Sequence, residues 1–154
     1  MFWRFKLQGD YTWHSGVPVP SEFRFHDENK DKLRLVIHAD GRITVKDGYA
    51  WDGCSPKFSI FDLFYIGTPD GVRDVNTGRP KTYYASLIHD ALYQFMEHPD
   101  MPYSRAQMDR FFLVLMRARR FRLSGLYWLA VRVIGGIYHG VVKLFTRKKR
   151  NPEP

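Results

Sequence analysis

Residues 80–98, PKTYYASLIHDALYQFMEH, set the reading of the whole chain. Tyr84, Leu87, Ile88, Leu92 and Phe95 recur there at three- and four-residue spacing, which gathers them on one broad face of a helix. The spacing predicts a helix over 81–98, stopped by Pro99 and Pro102. Upstream the pattern is different. Phe2 to Leu7, Glu22 to Phe25, Leu33 to His38 and Ile43 to Lys46 are short runs rich in aromatic and β-branched residues. Bounded by turn formers, they read as strands. Asp40-Gly41 joins the last two, because this pair tolerates the positive φ of a tight hairpin turn. From Asp47 to Pro80 the glycines and prolines break every regular period, leaving a loop with room for one short helix at Phe58 to Ile66.

Downstream of Pro102 the helical period returns. Ser104, with Gln107 three residues on, forms a capping box and opens a second helix running to about Arg119. Its apolar stripe is Met108, Phe111, Phe112, Leu115 and Met116. A third helix is expected from Leu123 to Phe145. The expected fold is therefore α+β: an N-terminal antiparallel β-sheet followed by a three-helix C-terminal bundle. One domain covers 1–146 (β-rich 1–50, loop 51–80, helical 81–146), and 147–154 is a basic tail.

Composition bounds what such a domain can be. With 154 residues, 44% hydrophobic and 16% aromatic, the chain can bury a core and is not disordered as a whole. Cys54 is the sole cysteine, so neither an internal disulfide framework nor a cysteine-rich zinc site is possible. The start, Met1-Phe2-Trp3-Arg4-Phe5-Lys6, lacks the apolar run of a secretory signal, so residence in a reducing cytoplasm is expected. The net charge is +8, and residues 100–154 hold twelve Lys or Arg against Asp100, Asp109 and Glu153, a net +9. That third either meets an anionic surface or is a solvated basic face.

Within the third helix, Leu126 to Val142 is mostly apolar, but Arg132 and His139 interrupt it. A span needs about 20 apolar residues, so no transmembrane span is expected. Arg132, His139 and Lys143 share a stripe, as on an amphipathic helix packed on the core or lying on a bilayer.

Two clusters could carry chemistry. His89-Asp90 lies mid-helix with Tyr93 one turn on, and Asp109 sits on the apolar stripe of the next helix. A carboxylate there needs a partner or an outlet to water, and His89 is the most economical partner. With Asp109 on one imidazole nitrogen at about 2.7–3.2 Å, the other is free to act as a base. The same bond could equally serve only to join two helices. The second cluster is the turn Asp52-Gly53-Cys54-Ser55-Pro56. With Asp90, its Asp52 carboxylate and loop carbonyls suit a hard cation such as calcium, although an ordinary Asp-Gly turn reads the same way.

These motifs in this order resemble a family of uncharacterised proteins encoded mainly by tailed phages and prophages. The likeness runs from about Gly48 to Tyr138. It rests on Asp52-Gly53-Cys54-Ser55-Pro56, His89-Asp90-Ala91-Leu92-Tyr93, Ser104-Arg105 with Asp109 and Phe112, and Ala130-Val131-Arg132 with Gly135. More distantly, the chain resembles bacterial phospholipase A₂. That resemblance implies His89 as the base that activates water, Asp109 as its orienting partner and Tyr93 bonded to Asp109. It further implies calcium held by Asp90, Asp52 and carbonyls near Gly53. The chain departs from those enzymes at Ser86, where they carry a cysteine paired with the loop, and in a longer insertion between Cys54 and His89. The phage resemblance implies a place in the host cytoplasm or the virion. Two functions follow: a calcium-dependent lipid ester hydrolase on anionic membranes, or a non-catalytic virion or tail component or host-factor inhibitor that partners other phage proteins. Nucleic acid is a weak third partner, because aromatics are not interleaved with the tail charges.

Overall fold

The computed structural model describes residues 5–27, 31–51, 78–129 and 131–132. Among these residues six strands precede the helices: β1 (Phe5–Lys6), β2 (Tyr11–His14), β3 (Phe23–His26), β4 (Leu33–Ile37), β5 (Arg42–Val45) and β6 (Ala50–Trp51). Four of them form an antiparallel sheet in the order β2-β5-β4-β3. Its register lines up Tyr11, Val45, Leu35 and Phe25 in one rung and Trp13, Ile43, Ile37 and Phe23 in the next. Because side chains alternate along a strand, these rungs share a face, and that face is the core side. The expected hairpin turn is present, with Gly41 at φ +85. A Cβ there would stand 2.7 Å from the Val17 carbonyl oxygen, so both the backbone angle and the space require glycine.

The helices lie over that face. They are α1 (Tyr83–Gln94) and α2 (Arg105–Ala118), followed by a third, α3, helical at 124–129 and 131–132. Tyr11 stacks on Tyr84 at 4.3 Å, Phe25 on Phe95 at 5.3 Å, and Trp13 meets Phe111 edge-on at 5.4 Å. Leu87, Ile88, Leu92, Met108 and Met116 complete the buried core. The α+β arrangement and the helical spacing thus hold.

Several boundaries differ from expectation. The strands form two sheets, since β1 and β6 pair apart from the other four. β2 was not among the expected strands, although Tyr11 and Trp13 supply its inward side chains. Helix α1 is shorter at both ends than the apolar spacing implied, because a face can continue through turns that are no longer helical. Ser104 caps α2 as expected, its side chain accepting from the Gln107 backbone N–H while Gln107 accepts from the Ser104 N–H. The stretch Phe58 to Ile66 and the continuation of α3 toward Phe145 lie outside the described residues.

The exit from α2 is unusual in one residue. Phe121 N–H donates to Met116 O at 3.1 Å and Arg120 N–H to Arg117 O at 2.9 Å, the paired bonds of a Schellman ending. Its left-handed position, normally glycine, is held by Arg120 at φ +52. An L side chain there costs about 1–2 kcal/mol.

Candidate functional site

The site is built across α1 and α2. Tyr93 lies near the start of α2, while His89, a turn earlier on α1, meets Asp109 further along α2. The two helices therefore run antiparallel, and the i, i+4 pair on α1 straddles one carboxylate on α2. Asp109 has no exposed surface at all. His89 Nε2 stands 3.4 Å from its Oδ1, and the Tyr93 hydroxyl donates to the same oxygen. The histidine contact is longer than the 2.7–3.2 Å expected from sequence, because Oδ1 is shared and the tyrosine takes the tighter place. The imidazole is also held by rings, with Tyr93 at 4.0 Å and Phe112 at 4.9 Å between centroids.

The other carboxylate oxygen is occupied by arginines that sequence reasoning did not assign to the site. Arg132 of α3 reaches Oδ2 at 3.5 Å and Arg105 lies 3.9 Å from it. Arg105 also donates to the Tyr93 hydroxyl at 3.2 Å and to the Arg132 carbonyl at 2.7 Å. Arg105 carries a local signal, lying four residues before Asp109 on one helix. Arg132 was read as part of a polar stripe, and only the packing of α3 against α2 turns it toward Asp109.

Electrostatics follow from this crowding. Burial opposes charge on Asp109, but His89, Tyr93 and Arg105 outweigh it and hold the carboxyl below the usual carboxylate range. Burial likewise opposes protonation of His89, yet the hydrogen bond to Asp109 and the attraction of Asp90 and Asp109 raise its pKa above the ordinary value. Burial, followed by the bond to Asp109, pushes the Tyr93 hydroxyl up, so it remains a donor. With Nε2 directed at Asp109, the free ring atom is Nδ1. Asp90 Oδ1 stands 3.8 Å from it, near enough to attract charge but beyond a hydrogen bond.

Of the residues expected from sequence to hold a metal, only Asp90 is among the described ones. Asp90, with 28% of its side chain exposed, offers a hard oxygen donor on the Nδ1 side, which fits one ligand of a calcium ion. Asp52 and Gly53 lie outside the described residues. Among the described residues no three His, Cys, Asp or Glu side chains gather as a metal cluster. The approach to Asp52 is nonetheless fixed. Trp51, the residue before it, is buried and donates from Nε1 to the Ser86 hydroxyl at 3.1 Å, while Ser86 donates to the Tyr83 carbonyl at 3.0 Å. A buried hydrogen bond thus ties Trp51, at the end of β6, to Ser86 of α1.

Among the described residues no helix is long and apolar enough to cross a membrane. Comparison with protein-family models, with curated proteins and with solved structures returned no match. The functional reading therefore rests on the residues themselves.

Proposed function

We propose that this chain is a phage-encoded, calcium-dependent lipid ester hydrolase that works on anionic membranes. One observation carries the reading: His89 is fixed through Nε2 against a buried carboxylate while Nδ1 is left toward a partly exposed one. An imidazole held this way is a positioned base. Nδ1 takes a proton from the attacking water, and Asp109 stabilises the imidazolium that forms. Tyr93 and Arg105 keep the Asp109 carboxylate oriented and ionised. Calcium, held by Asp90 together with Asp52 and carbonyls near Gly53, would polarise the ester carbonyl and stabilise the oxyanion. The basic C-terminal third supplies attraction to anionic headgroups.

Fatty-acid release from phosphatidylglycerol vesicles tests this. The wild-type chain should release fatty acid in calcium and stop when calcium is chelated. His89→Gln should remove release while keeping the wild-type circular dichroism, and Asp90→Asn should raise the calcium needed. No release by the wild type would overturn the reading.

A second reading has an observation of its own. Asp109 is shared among His89, Tyr93, Arg105 and Arg132, which is how a purely structural charge cluster between three helices is built. On that reading the chain is a non-catalytic virion or tail component or a host-factor inhibitor, and His89→Gln changes stability alone.

A further inference from the structure

We infer that the corner joining α2 to α3 is the face that docks on an anionic lipid bilayer, an assignment that rests on the lipid-ester reading above and gives it an orientation. Leu123, Leu126 and Leu129 are 44%, 55% and 52% exposed. Ser124 is buried, and Tyr127, Trp128 and Val131 pack against the core. At about 100° per residue, Leu126 and Leu129 fall on the side of α3 opposite those four. Isolated exposed leucines are commonplace, but three within seven residues form an apolar patch that the core does not use.

The surrounding charge selects the occupant. Residues 110–129 contain five arginines and no Asp or Glu, and Arg117, Arg120 and Arg122 are exposed immediately before the leucines. A nucleic acid would engage the guanidinium groups and leave the leucines in water. An apolar protein groove would bury the leucines and strand the arginines. An anionic bilayer takes both, with headgroups at the arginines and the acyl boundary at the leucines. Arg120 adds a second observation. It occupies the left-handed turn position where glycine is favoured, and it puts an exposed cation three residues before Leu123.

Of the stripe Arg132, His139 and Lys143, read from sequence as packed on the core or lying on a bilayer, only Arg132 is among the described residues. Arg132 is directed to Asp109, so its side chain is not a headgroup contact. The bilayer contact instead comes from the leucines and from the arginines before them. The same helix thus touches the membrane on one side and the His89–Asp109 carboxylate on another.

Co-sedimentation of the full chain with phosphatidylcholine vesicles, with and without phosphatidylglycerol, tests the face. Wild type should partition onto the phosphatidylglycerol vesicles only, and less as salt rises. The double variant Leu126→Asp/Leu129→Asp should partition on the order of 100-fold more weakly, about tenfold for each leucine withdrawn from the acyl boundary. Arg120→Gly should move two readouts in opposite directions: a higher melting temperature and about fivefold weaker partitioning. Equal partitioning of wild type and the double variant overturns the inference. So does self-association of wild type that the double variant abolishes, since a second copy would then cover the face. Duplex DNA that binds equally to wild type and the double variant, and displaces both from vesicles, overturns it as well. Hydrolysis of a dispersed short-chain phospholipid separates this failure from that of the enzyme reading. Turnover without docking removes the face alone, and docking without turnover removes the enzyme alone.

Discussion

On the sheet, His38 Nδ1 lies 2.9 Å from Glu22 Oε2; between the helices, His89 Nε2 lies 3.4 Å from Asp109 Oδ1. By distance alone the sheet pair is the stronger. Surroundings reverse the order. Glu22 shares its carboxylate with exposed Arg24, and water screens the whole group. His38 also reaches the Thr44 hydroxyl, which bonds to Thr12, so this histidine belongs to a hydroxyl network on a sheet surface. Asp109 has no exposed surface, His89 has 11%, and the groups around them are charged. In low dielectric a longer contact between charges outweighs a shorter one in water. A histidine beside a carboxylate is informative when both are out of water, and among the described residues that condition singles out His89.

The comparison can be broken at its strong end first. Asp109→Ala removes the acceptor for His89 and Tyr93 and strips Arg105 and Arg132 of their counter-charge. Urea unfolding should show a loss of about 3–5 kcal/mol, the cost of breaking a buried charge pair from one side. A loss no larger than that of an ordinary surface change would mean that burial does not strengthen the helical pair.

Next comes the histidine itself. His89→Gln should cost about 1.5–3 kcal/mol, because the donor to the Asp109 carboxylate loses its positive charge and the tight fit of the ring. His38→Gln should stay within about 0.5 kcal/mol, as for surface substitutions generally. Equal costs at the two histidines would erase the distinction.

The same contrast has a pH signature. The raised folded pKa of His89 gives stability that is fully present below the unfolded value and is lost as pH rises through the folded value. The depressed folded pKa of Asp109 gives stability that is present above the unfolded value and is lost as pH falls through the folded value. In calcium-free buffer the stability gap between wild type and His89→Gln should therefore be widest at about pH 4–6.5. It should narrow at alkaline pH and again in strong acid. A gap that widens steadily above pH 7 would contradict the charged form of the pair. The smallest effect belongs to the sheet: Glu22→Gln should leave the melting temperature unchanged within error.

How much was visible beforehand follows from the range of the interactions. The Asp40-Gly41 turn and the Ser104–Gln107 box are local, and both are present. The pairing of His89 with Asp109 was legible because a carboxylate on the stripe of Met108, Phe111 and Phe112 needs a nearby partner. Strand β6 was not legible: two residues, Ala50 and Trp51, are a strand only because they pair with β1 more than forty residues away. Strand β2 does carry a local signal, in Tyr11 and Trp13 on alternate positions. Arg132 reaches Asp109 only through the way α3 returns across α2, which no spacing encodes. The proposed ligands Asp52 and Gly53 lie outside the described residues, so their part of the site rests on sequence alone.

The proposed chemistry depends on which nitrogen of His89 is committed to Asp109. Nitrogen-15 NMR of the neutral imidazole reads this directly, with His89→Gln identifying the resonance. An ionised Asp109 can only accept, so the proton of the neutral ring is expected on Nε2, leaving Nδ1 unprotonated on the Asp90 side. A proton found on Nδ1 would leave Asp109 without that donor and block the basic face, and the proposed role of His89 would fall with it.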